Sequence, residues 1–138
     1  MASPCRMAEW LSEVDNIALS STVASEEDQA GFLRALAMLM RLRPEDLGGA
    51  SMTIEREIEV MRSVASCAFE TAALRLLPGD ARVMTSSPGV GRHMATVRLG
   101  GQERESTSWG STFALAVVSA LALSMVEHYH ELAGALPY

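Results

Sequence analysis

WGSTFALAVVSALALSMV, residues 109–126, carries no charge, and from Phe113 onward its apolar run is broken only by Ser119 and Ser124. Read as a helix, the stretch presents ridges of different kinds. Thr112, Ala116, Ala120 and Ser124 recur at i, i+4 and form a ridge of small side chains, while Phe113, Val117, Leu121 and Met125 form a bulky one beside it. The neighbouring ridge, Ala114, Val118, Ala122 and Val126, is apolar as well. A helix apolar nearly all round has to be covered on most sides. A bilayer could supply that cover, but a membrane span takes about 20 mostly apolar residues and is usually flanked by basic ones. This run is shorter, rich in Ala and Ser, and continues into the polar Glu127-His128-Tyr129-His130-Glu131. The expectation is a buried helix at the centre of a water-soluble domain, with no membrane span. If the small ridge is not covered within the chain, Ala116, Ala120 and Ser124 become candidate interface residues and a homodimer the natural partner arrangement.

Working outward, 138 residues suit one domain with a hydrophobic core, and 49% apolar content is too high for a disordered chain. The domain divides into a helical part, residues 1–50, and a mixed part, residues 51–138. The net charge of −6 disfavours nucleic acid and anionic membranes as partners. Every Lys/Arg position is Arg, so Schiff-base chemistry and a Walker-type phosphate lysine are excluded. Cys67 sits in an apolar helical stretch and reads as a reduced structural thiol. The first residues lead into an amphipathic stretch rather than an apolar leader, so a cytoplasmic location is expected.

Helical periodicity covers most of the first half. Met7, Trp10, Leu11, Val14, Ile17 and Ala18 predict a helix over residues 4–20, with Pro4 at its first position. Ser25 followed by Glu26-Glu27-Asp28 predicts a capped start for a second helix, with Phe32, Leu33, Leu36, Leu39 and Met40 on its apolar face. It should end near Arg43, ahead of Pro44, with a short turn at 44–47 before Gly48-Gly49. Thr53 can cap a third helix running to residue 77, whose face reads Ile54, Ile58, Met61, Ala65, Ala68, Ala72, Leu76.

After Pro78-Gly79-Asp80 the pattern changes to strands. Residues 81–86 suit a short strand. Residues 92–99 alternate, with His93, Ala95, Val97 and Leu99 on one face. Gly100-Gly101 suits a tight hairpin that would set Arg98 opposite Glu103. Neither face of Gln102–Ser108 is apolar, so it reads as an edge strand or a loop. The fold class expected is α+β: about four helices and a small antiparallel sheet of two or three strands, its apolar side on the buried C-terminal helix. The order helix, three strands, helix resembles that of double-stranded RNA-binding domains. Those domains carry basic residues at the start of the last helix, where this chain has Trp109-Gly110-Ser111-Thr112, so RNA binding is not expected.

The most site-like loop is Ser86-Ser87-Pro88-Gly89-Val90-Gly91-Arg92-His93. Its glycines free backbone N–H groups to turn inward, and Arg92 could hold an anion. Ser86, Ser87, Gly89, Gly91, Arg92 and His93 are therefore the candidate anion-binding residues, with Arg82, Arg98 and Arg104 nearby in sequence. Against this, a phosphate loop is followed by a helix, and here a strand follows. Glu127-x-x-His130 has the spacing of carboxylate-bridged di-iron sites but lacks the second pair such a site requires. No metal, cofactor or catalytic constellation is expected. The leading functional expectation is a non-enzymatic, acidic protein-binding module, and the other is a small-molecule or anion-binding domain built on the Ser86–His93 loop.

Overall fold

The computed structural model describes residues 4–44 and 52–135, so the short turn expected at 44–47 lies largely outside the described residues. Along the chain come α1 (Pro4–Ser20), a 3-10 turn (Glu26–Asp28), α2 (Gln29–Arg41), α3 (Ile54–Ala65) and α4 (Phe69–Leu76). They are followed by β1 (Arg82–Gly89), β2 (Arg92–Arg98), β3 (Ser106–Gly110) and α5 (Phe113–Ala135). The class is α+β, as expected, but the described residues hold five α-helices rather than four.

The extra helix comes from a break at Cys67. Ala68 N–H bonds back to the Ser63 carbonyl at 2.8 Å and Cys67 N–H to the Val64 carbonyl at 3.0 Å, which together form a Schellman cap. That cap needs a left-handed residue after the last turn, and Cys67 fills the place with φ 57°. The predicted single helix over 53–77 is thus two, and the turn between them re-aims the apolar face. Val60, Val64, Ala72, Ala73 and Leu76 are buried, whereas Ile54 and Ile58, expected inside, are exposed. Thr53 caps α3 as predicted, accepting from Arg56 N–H at 3.2 Å. The Arg56 guanidinium in turn donates to the Arg75 and Leu77 carbonyls at the end of α4 at 2.8 and 2.7 Å. Ser25, predicted as a cap, instead donates to the Asp28 carboxylate at 3.0 Å, and a 3-10 turn precedes α2.

α5 sits at the centre. From Ala114 to Ala122 every residue is buried. The segment Phe113–Glu131 is long and apolar enough to cross a membrane by composition, but 67% of it is buried within the chain itself. One side of α5 lies on β2 and β3; α1, α2 and α4 cover the rest. Burying side chains such as Leu121 and Val117 is worth roughly 1.5–3 kcal/mol each, which makes this helix the main source of packing energy. The first helical pair is pinned from its own side: the buried Trp10 Nε1 donates to the Leu39 carbonyl at 2.8 Å, joining α1 to α2.

The sheet is antiparallel in the order β1-β2-β3. Ala95, Val97 and Leu99 face inward as the alternation predicted. The strand after the second turn is shorter and later than expected, Ser106–Gly110, so Trp109 and Gly110 belong to the sheet and not to the helix. Its inner face is Ser106, Ser108 and Gly110, all buried. Polar residues work there because the helix opposite is small and supplies partners. Ser106 donates to the Glu127 carboxylate at 2.6 Å, and the Ser108 hydroxyl meets that of Ser119 at 2.6 Å. A Cβ on Gly110 would lie 2.5 Å from the Ala116 nitrogen, so strand and helix touch backbone to backbone. The small ridge therefore faces the sheet.

The tight hairpin at Gly100-Gly101 does not form. The buried Gln102 turns inward, accepting from Leu99 N–H at 3.1 Å and donating to the Ser124 carbonyl at 2.8 Å. That tether lengthens the connection, and pairing resumes at Val97↔Ser106, so Arg98 is not set opposite Glu103.

Candidate functional site

The predicted loop divides. Ser86 and Gly89 lie on β1, Val90-Gly91 form the turn, and Arg92 opens β2. Gly89 pairs with Arg92, so the turn has two residues, and its second, Gly91, takes a positive φ of 69° that residues with a side chain rarely adopt. Register slips between Ser86 and Gly89, a bulge at Ser87-Pro88, where proline has no N–H to give the ladder. Ser86, Ser87, Gly89, Gly91 and Arg92 are all exposed.

Arg92 and His93 do not converge, because neighbours on a strand point to opposite faces. The Arg92 guanidinium stacks over the Trp109 ring, 5.3 Å from its centroid, on the outer face of the sheet. His93 is half-buried on the inner side, its Nδ1 2.9 Å from the Ser87 hydroxyl. There it borders an open groove of about 710 Å³ with Glu26, Glu70, Cys67 and Thr112. The groove brings carboxylates, not cations, to His93, which does not suit an anion. Arg82 and Arg98 face each other across β1 and β2 at the other end of the hairpin from Arg92. The arginines grouped by sequence are thus spread along the sheet.

The predicted interface residues are also accounted for. Ala116, Ala120 and Ser124 are buried inside the chain, and Ser124 donates to the Val97 carbonyl at 3.0 Å. The ridge is covered by the protein's own sheet, so a second copy cannot reach it in the folded chain. Among the described residues no group of three His, Cys, Asp or Glu side chains is placed to hold a metal ion, and Glu127 is engaged by Ser106.

What the sequence did not single out is the outer face of the sheet. Register places its residues in rows across the strands: Ser86, Met94 and Trp109 in one, Met84, Thr96 and Thr107 in the next, Arg82 and Arg98 in the third. Helix α5 covers the other face of β2 and β3, and no described helix packs over this one. Met84 is 71% exposed and Trp109 41% exposed. Thr96 and Thr107 bond to each other at 2.8 Å in the middle of the face. A recess of about 460 Å³ runs between Arg82, Met84, Thr96, Arg98 and Glu105. The available signal was the alternation itself: the face opposite Ala95 and Val97 had to lie somewhere, and it carries Met94, Thr96 and Arg98. Exposed apolar residues also lie on α2 and α3, Met38, Ile54 and Ile58 among them, and Arg41 of α2 and Glu57 of α3 form an ion pair at 2.8 Å. Compared with protein families, with curated proteins and with solved structures, the chain finds no match.

Proposed function

We propose that this chain is a non-enzymatic protein-binding module that works through the outer face of its sheet, in the cytoplasm. The observation that carries the reading is the bare row arrangement on that face, with Met84 on β1 and Trp109 on β3 exposed among Thr96, Thr107 and arginines. Exposed apolar side chains grouped on one face and rimmed by polar ones mark contact surfaces, and Trp, Met and Arg are the types enriched there. The rest of the fold serves this face: α5 backs β2 and β3, and β1 is held by its pairing with β2. A small-molecule or anion site on the Ser86–His93 loop has less support, because Arg92 and His93 diverge and His93 faces carboxylates.

The test is a photo-crosslinking scan in the cells that make the protein. A photoreactive residue at Met84 or Trp109 should give a discrete heavier adduct, and one at Glu13 on α1 or Arg62 on α3 should not. Adducts formed equally from all four positions, or only from the helical side, would overturn the reading.

A further inference from the structure

Arg82 and Arg98 are directly opposed across β1 and β2. Like charges in that relation repel each other. Neither is held in an ion pair among the described residues, where the pairs are Arg41–Glu57 and Arg75–Glu59. Arg92 lies on the same face, six residues from Arg98 along β2, or about 20 Å at the rise of a strand. Three guanidinium groups thus share the outer face with two carboxylates, Glu105 in the recess and Asp80 against Gly100 beyond the Arg82–Arg98 row, on a chain whose net charge is −6. The face therefore carries one positive charge in excess while the chain as a whole is acidic. The second feature is an edge. β1 has eight residues and pairs only with β2, which leaves its other side without a partner strand among the described residues. Its regular stretch, Arg82–Ser86, ahead of the bulge at Ser87-Pro88, is an open edge and a template for another strand.

Resting on the protein-binding reading, we infer that the occupant is an extended acidic peptide segment, added to the free edge of β1 as a fourth strand. Its carboxylates lie beside Arg82, and its next side chain on the same face, two residues on, is apolar and lies against Met84. Strand addition gives main-chain hydrogen bonds, and the side chains on one face give selectivity. Carboxylate binding by guanidinium relieves the Arg82–Arg98 repulsion and can be bidentate. A second copy of the chain fits less well, because β1 carries Arg82 and no acidic residue to offer in return. Nucleic acid fits less well too: a polyanion meets the whole chain's negative charge, and a phosphate backbone cannot continue a β-ladder.

The experiment selects from a phage-displayed library of random octapeptides against the full chain. The enriched peptides should carry Asp or Glu alternating with apolar residues. A synthetic copy of the best one should lose about tenfold or more in affinity to Arg82→Glu/Arg98→Glu, as expected for lost charge-assisted contacts. The same peptide N-methylated at alternate residues should weaken by about tenfold against the unaltered protein, as lost strand pairing requires. Enrichment of basic or uncharged peptides, no enrichment, indifference to either change, or equal competition by single-stranded DNA would overturn the inference. A non-acidic peptide that still crosslinks to position 84 would overturn the acidic strand alone and leave the binding face standing.

Discussion

Ser108 on β3 and Ser119 on α5 share a buried hydrogen bond of 2.6 Å, and its direction can be assigned. Ser119 has one hydroxyl hydrogen, which goes to the Ala18 carbonyl at 2.7 Å, so Ser108 is the donor to Ser119. Ala18 lies in the last turn of α1, where carbonyls have no partner within the helix. A single serine on the central helix therefore ties the sheet on one side to the end of α1 on the other.

Ser119→Ala should cost about 2 kcal/mol in denaturant unfolding, because it strands a buried donor on Ser108 and leaves the Ala18 carbonyl only a 3.5 Å contact from Ser21. Ser108→Ala should cost about 1 kcal/mol, since Ser119 keeps its bond to Ala18. The double variant should cost less than the sum. Additive losses would show that the two hydroxyls act independently.

Gly110→Ala should destabilise by about 3 kcal/mol, since the new methyl meets the backbone of α5 at 2.5 Å and backbone cannot rotate away. Loss of soluble expression fits the same account. A melting temperature within a degree of the parent would mean that strand and helix are not in backbone contact.

Cys67→Gly should stabilise. The left-handed conformation costs an L-residue about 1–2 kcal/mol, of which glycine's larger unfolded-state entropy takes back roughly 0.4–1 kcal/mol. Differential scanning calorimetry should show a rise of a few degrees, about 2–4 °C. A fall would indicate that the thiol's packing outweighs the backbone term.

Ala120→Leu decides between a core and an interface for the small ridge. Ala120 is fully buried against the chain's own elements, so the larger side chain should lower stability by about 2–3 kcal/mol, independent of protein concentration. A loss that grows on dilution would return the ridge to the surface between two copies.

The central helix was legible because an uncharged, apolar run has few places to go in water, and Phe113–Val126 gave that pattern without interruption by charge. β2 was legible for a similar reason, through Ala95, Val97 and Leu99. The misreadings share one cause: a side chain working against its usual type. Cys67 occupies a place glycine normally takes, so nothing marked the break between α3 and α4. β3 buries Ser106, Ser108 and Gly110, so neither of its faces looked apolar. Its hydroxyls are satisfied by Ser119 and Glu127, partners some ten to twenty residues away that no local pattern reveals. Gln102, a surface residue by composition, is buried and stretches the hairpin into a longer loop. The outer sheet face was hidden because its residues come from three strands, and only register brings Met84, Thr96 and Thr107 into one row.

Amide hydrogen exchange on the whole chain in detergent-free buffer tests most directly that α5 is a core rod holding a sheet with one bare face. The amides of Ala114–Val126 should be the slowest to exchange, opening only with global unfolding, while the free edge of β1 and the Val90-Gly91 turn exchange early. Exchange along α5 as fast as along β1, or protection of α5 only when detergent is present, would contradict the account.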